Sequence, residues 1–155
     1  MKIPESKYTD LLGKPFKIGG RGRFCSCGRL YADREVPGCD LCSGKFVGAV
    51  CYDCYGLAME VCQRNNILLP EHTSVCEPAL MTEAIEQGKS DFTEVPGPTP
   101  FCLVVFRLAG PCTTHIGVIL EDPRGFIHTL PGRTVTIERL RRWERKVDGY
   151  RYSRR

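Results

Sequence analysis

The stretch Cys51-Tyr52-Asp53-Cys54-Tyr55-Gly56-Leu57, running straight into Ala58-Met59-Glu60-Val61-Cys62, decides the reading of this chain. Leu57, Ala58, Val61 and Cys62 recur at helical spacing, Asp53 is suited to an N-cap, and Asn65-Asn66 to a stop. The spacing therefore predicts a helix over 53–66. Cys54 then stands at or near its first turn, where unpaired backbone N–H groups and the positive end of the helix dipole favour thiolate over thiol.

Working outward, residues 1–20 read as a short helix with Tyr8, Leu11 and Leu12 apolar, ending at Gly19-Gly20. Residues 21–50 are rich in Gly, Arg and Cys and show no sustained period, so they read as an irregular, stapled insertion. After the Cys54 helix, a second helix is expected over about 77–88, followed by a stiff connector at Pro96, Pro98 and Pro100. Strands are expected over 101–108, 114–120, 125–130 and 133–137, with a turn at 121–124. A short helix over 138–146 would pack Leu140 and Trp143 on the sheet. Helices first and an antiparallel sheet afterwards make an α+β fold, and 155 residues suit one domain, 1–155, carrying the insertion within it.

Charge excludes little but points away from some partners. With 22 Lys+Arg against 18 Asp+Glu, a net +4 does not call for nucleic acid. Arg139, Arg141, Arg142, Arg145, Lys146, Arg151, Arg154 and Arg155 read as a solvated helix face and tail, with attraction to an anionic polymer as the alternative. No apolar run is long enough for a membrane, and residues 1–7 lack the apolar centre of a signal peptide. The expectation is cytoplasmic synthesis, with release by lysis or within an assembly. Ten cysteines in that setting suggest metal ligands or chemistry before disulfides.

Three histidines are present: His72, His115 and His128. His72 lies in loop sequence and is set aside. If the 121–124 turn closes a hairpin with Leu120 opposite Gly125, His128 falls across from Gly117. His115 is then its diagonal neighbour on the same face, about 7–8 Å away between α-carbons. Gly117 would leave open space beneath the His128 ring. A one-residue slip would part the two rings. A cysteine at a helix start with two strand-borne histidines is the outline of a thiol hydrolase, with Cys54 as nucleophile, His115 as general base and acid, and His128 orienting it. Backbone N–H at the helix start, that of Cys54 first, would hold the oxyanion.

Asp53-Cys54-Tyr55-Gly56-Leu57 resembles the nucleophile motif of the NlpC-type cell-wall cysteine peptidases, a papain-like family. Thr114-His115-Ile116-Gly117-Val118-Ile119-Leu120 resembles its second signature, and Gly125-Phe126-Ile127-His128 its third. The 12–22 segment and Asn66-Ile67-Leu68-Leu69-Pro70 are similar to phage-encoded members. The resemblance implies a papain-like fold and hydrolysis of peptidoglycan stem peptides, commonly at the D-glutamyl–diamino-acid bond, with phage tail proteins as partners. Two departures concern substrate binding: the usual Pro-Tyr is Pro15-Phe16, and the usual Pro-Gly-Asp is Pro96-Gly97-Pro98. Two other classes share the outline, a non-catalytic tail-assembly or scaffold protein and a thiol acyltransferase.

The insertion separates the family-like Gly19-Gly20-Arg21-Gly22 from the nucleophile motif. Its Cys25-Ser26-Cys27 and Cys39-Asp40-Leu41-Cys42 pairs have the spacing to surround one tetrahedral zinc, which would staple a segment poor in apolar residues. A competing partition uses Cys39, Cys42, Cys51 and Cys54, and would consume the nucleophile. Cys51 also fits as a replacement for Cys25 or Cys27. Cys62, Cys76, Cys102 and Cys112 read as packing residues or loop thiols.

Overall fold

The computed structural model describes residues 7–17, 22–24, 30–31, 51–69, 92–108 and 114–153. Asp53 is the N-cap of α1 (Cys54–Arg64), its carboxylate accepting from the Gly56 N–H at 2.6 Å, and Asn65 caps the other end. The chain reverses at Asn66, which adopts the left-handed conformation (φ 61°) that asparagine tolerates. The helix thus begins and ends on the residues that suit those positions.

Two short strands, β1 (Arg23–Phe24) and β2 (Leu30–Tyr31), pair antiparallel before the helix. After it come β3 (Phe92–Val95), β4 (Leu103–Arg107), β5 (Thr114–Ile119), β6 (Gly125–His128), β7 (Thr136–Arg139), a 3-10 helix (Leu140–Lys146) and β8 (Val147–Ser153). The last six strands form one antiparallel sheet in the order β3-β8-β4-β5-β6-β7.

Both faces of the sheet are covered. On one, α1 sets Leu57, Ala58, Val61 and Cys62 against Leu103, Ile116, Val118, Leu120 and Ile127, joined by Tyr8 and Leu11. On the other, Val104, Phe106, Ile119, Phe126 and Leu140 pack together, with Trp143 against them. Burial on two sides explains why Leu103–Phe106 and all of β6 are buried without polar alternation. Each such side chain contributes about 1.5–3 kcal/mol of transfer free energy. Arg64, in the last turn of α1, ties down the turn at residues 7–10. It donates to both carboxylate oxygens of Asp10 at 2.7 Å, to the Lys7 carbonyl at 2.6 Å and to the nearly buried Glu60 at 2.9 Å.

Several expectations change. The stretch read as a helix within 1–20 is a series of turns over the described residues 7–13, because Gly13 adopts φ 84° and Pro15 follows. The N-terminal helical layer among the described residues is therefore α1 alone. The expected helix over 77–88 lies outside the described residues. The strand expected over 133–137 begins three residues later, after a turn with Gly132 at φ 74°, and runs on to Arg139. The expected helix over 138–146 is the 3-10 helix. Residues 147–153, read as a basic tail, form β8 between β3 and β4. Within the insertion, the described residues form the β1–β2 ribbon in place of wholly irregular chain.

Candidate active site

Residues 14–17 run between two parts of the chain and fix where α1 begins. On one side Val135 donates to the Lys14 carbonyl (2.9 Å) and Phe16 to that of Arg133 (3.3 Å). On the other, Tyr52 donates to the Pro15 carbonyl (3.2 Å) and Lys17 to that of Tyr52 (3.0 Å). Thr136, the first residue of β7, pairs with His128 at the end of β6. Cys54, two residues past Tyr52, therefore starts α1 at the end of the sheet where β6 finishes and β5 begins. Gly22 donates to the Cys51 carbonyl at 2.7 Å, so the insertion leaves and rejoins the fold at hydrogen-bonded neighbours.

The hairpin register is the one expected from the turn. Val118 pairs with Ile127, Ile119 with Phe126, and Leu120 donates to the Gly125 carbonyl. His115 and His128 consequently share a face, and their rings meet, with His115 Nε2 2.8 Å from His128 Nδ1. The space over Gly117 is not open, however. A β-carbon there would lie 2.8 Å from Phe126 Cδ2, so the aromatic ring fills the place expected to be vacant. His115 stacks on Phe106 (5.6 Å between centroids), and His128 lies between Phe126 (4.6 Å) and Trp143 (5.1 Å).

A third group completes this chain of contacts. Glu138 on β7 faces His128 diagonally, and its Oε2 lies 2.5 Å from His128 Nε2. The helix expected over 138–146 hides it from the sequence. Extending the strand expected over 133–137 by one residue puts Glu138 on the face of Thr136, the partner of His128.

Burial governs the charge of these groups. The rings of His115 and His128 are 3% and 2% exposed. Desolvation pushes the His115 ring well below the usual imidazole range, and the neighbouring His128 adds to that. His128 is pushed down by burial and by Arg133, against the opposing pull of Glu138. Both are therefore neutral near pH 7. Three other cysteines are held as thiols. Burial pushes Cys62 up to about 12, with Cys102 contributing, and raises Cys102 itself. Cys51 is raised by burial, with Lys17 opposing. Cys62 and Cys102 are fully buried packing residues, as their apolar surroundings suggest.

The structure thus joins His115 and His128, adds Glu138, and brings Cys54 to the same end of the fold. Cys54 is 6% exposed and belongs to the cluster on the α1 side, whereas the two rings lie among the aromatic residues of the opposite face. Cys25, Cys27, Cys39 and Cys42 lie outside the described residues. Among the described residues, no three His, Cys, Asp or Glu side chains are grouped to hold a metal ion, and no helix is long and apolar enough to cross a membrane.

No protein-family model matches the chain, and no curated protein matches it. Among solved structures, it is similar to a protein of Staphylococcus aureus subsp. aureus Mu50 described as similar to lipoprotein, NLP/P60 family. The TM-score is 0.52 at 17% identity, covering 95% of this chain and 39% of that one. The likeness is one of fold, an α+β architecture of the NLP/P60 kind, and this chain spans well under half the length of that protein.

Proposed function

We propose that this chain is a cysteine peptidase that hydrolyses amide bonds of peptidoglycan stem peptides, of the D-glutamyl–diamino-acid type. The observation that carries the reading is the hydrogen-bonded His115–His128 pair at the end of the sheet where Cys54 opens α1. In the proposed reaction the Cys54 thiolate attacks the carbonyl carbon, forming a C–S bond, with the oxyanion held by backbone N–H at the helix start. His115, having taken the thiol proton, gives it to the departing amine as the C–N bond breaks. Water, deprotonated by His115, then cleaves the thioester to a carboxylate and restores the thiol. His128 holds the His115 ring.

The rest of the reading follows from the sequence motifs. The protein acts as a phage or prophage tail component, reaching the wall within a virion or after lysis. Phage tail proteins are its partners, and neither nucleic acid nor membrane is. Cys25, Cys27, Cys39 and Cys42 hold a structural zinc that takes no part in the chemistry.

One observation favours a second reading, a non-catalytic tail-assembly protein on the same fold. Cys54 and the two rings are nearly buried, Cys54 in the cluster on the α1 side and the rings against Phe106, Phe126 and Trp143 on the other face. The experiment that separates the two compares wild type and Cys54→Ala on purified wall peptides, reading new amine termini. Release by wild type and at least ~1,000-fold less by the variant is expected, as for loss of a nucleophile whose partners act as a unit. No release by wild type favours the scaffold, and equal release by both removes Cys54 from the chemistry.

A further inference from the structure

The contacts of Glu138 have a direction. An ionised carboxylate only accepts hydrogen bonds, so the 2.5 Å contact places a proton on His128 Nε2. A neutral imidazole carries one proton, which leaves the lone pair of His128 on Nδ1. That nitrogen then accepts from His115 Nε2 at 2.8 Å, so the single proton of neutral His115 is on Nε2 as well. The lone pair of His115 is thereby confined to Nδ1, the nitrogen turned away from the pair.

From this geometry we infer that Glu138 is a positioning residue that sets the tautomer of both histidines and leaves His115 Nδ1 as the basic atom of the site. The inference rests on the peptidase reading for its purpose, but not for its measurement. Without Glu138, His128 is free to carry its proton on Nδ1 and donate to His115 Nε2. His115 would then hold its proton on Nδ1, where a thiol needs a lone pair. Among the described residues, the other contacts of these rings are aromatic: His128 lies against Phe126 and Trp143, and His115 stacks on Phe106. Glu138 touches only the first of the two rings. An effect on His115 separates a proton-setting role from simple cross-strand attachment of β7 to β6.

The test is the 15N spectrum of the histidine side chains near pH 7, which reports the protonated nitrogen of each ring directly. Wild type should show both His115 and His128 protonated at Nε2. Glu138→Leu should move both to a predominantly Nδ1-protonated form. Glu138→Gln, whose amide can accept or donate and which keeps the size of the side chain, should give a mixture. Glu138→Asp should restore the Nε2 form in part. Protonation of His128 at Nδ1 in wild type would overturn the inference, as would an unchanged His115 pattern in both the Leu and Gln variants. On wall peptides, Glu138→Leu should lower kcat by about 10–100-fold, as for loss of a group that orients a functional histidine. Its KM should change little. Inactive wild type would count against the peptidase reading while the spectra still decide the tautomer.

Discussion

Replacing Gly117 with alanine tests whether the packing between the two histidine strands is as tight as it looks. The added β-carbon would meet Phe126 Cδ2 at 2.8 Å, the Ile127 carbonyl oxygen at 3.2 Å and Val104 Cγ1 at 3.3 Å. The first distance forces a shift, and the second neighbour is backbone of the paired strand, which has little room to give. Phe126 is itself fully buried against Phe106 and Trp143, so its ring cannot swing away without disturbing the rest of that cluster. Overpacking of this sort costs about 1–3 kcal/mol, offset in part by about 0.4–1 kcal/mol from the stiffer unfolded chain. The net for a domain of this size is a fall in melting temperature of up to roughly 10 °C. Urea unfolding beside Gly97→Ala, where an added β-carbon meets no atom within 4 Å, gives the control. The two variants unfolding at the same midpoint would refute the packing argument. Because Phe126 lies against His128, the strain should also widen the His115–His128 contact.

Two further outcomes are expected. The sign of the pH dependence follows from the lowered pKa values of His115 and His128. Above the unfolded value of about 6.5 neither state binds protons at these rings and the contribution is level. As pH falls below it the unfolded chain takes up protons that the folded one refuses, and stability drops by up to about 1.4 kcal/mol per pH unit for each ring. Denaturant titrations between pH 7 and pH 5 measure this, and His128→Gln should roughly halve the slope; a flat profile in wild type would contradict the burial of both rings. Elemental analysis of protein purified without added metal should find about one zinc per chain, lost in Cys39→Ser and kept in Cys54→Ala; loss in Cys54→Ala would instead make Cys54 a ligand.

What could be read in the sequence was local and strongly signalled. Asp53 and Asn65 marked the ends of α1 because caps are short-range chemistry. The tight turn at Glu121–Arg124 fixed the β5–β6 register, and with it the meeting of His115 and His128. β8 was illegible because its charged and aromatic residues are mostly half-buried, so neither face stands out as apolar. Its place between β3 and β4 depends on pairings from distant parts of the chain. Glu138 was hidden for a related reason. The helix-like composition of Leu140–Lys146 was carried back across the end of β7, which concealed the alternation that aims this carboxylate at His128.

The position of β8 also bears on how the molecule is assembled. β4 bonds to β5 on one side and to β8 on the other, and β3 reaches the sheet only through β8. During synthesis the free edge of β4 stays open, and β3 has no partner strand, until residues 147–153 leave the ribosome. A nascent chain halted before that point presents two adhesive borders suited to pairing with other chains. Completion of β8 thus covers the open border of β4 and gives β3 its partner.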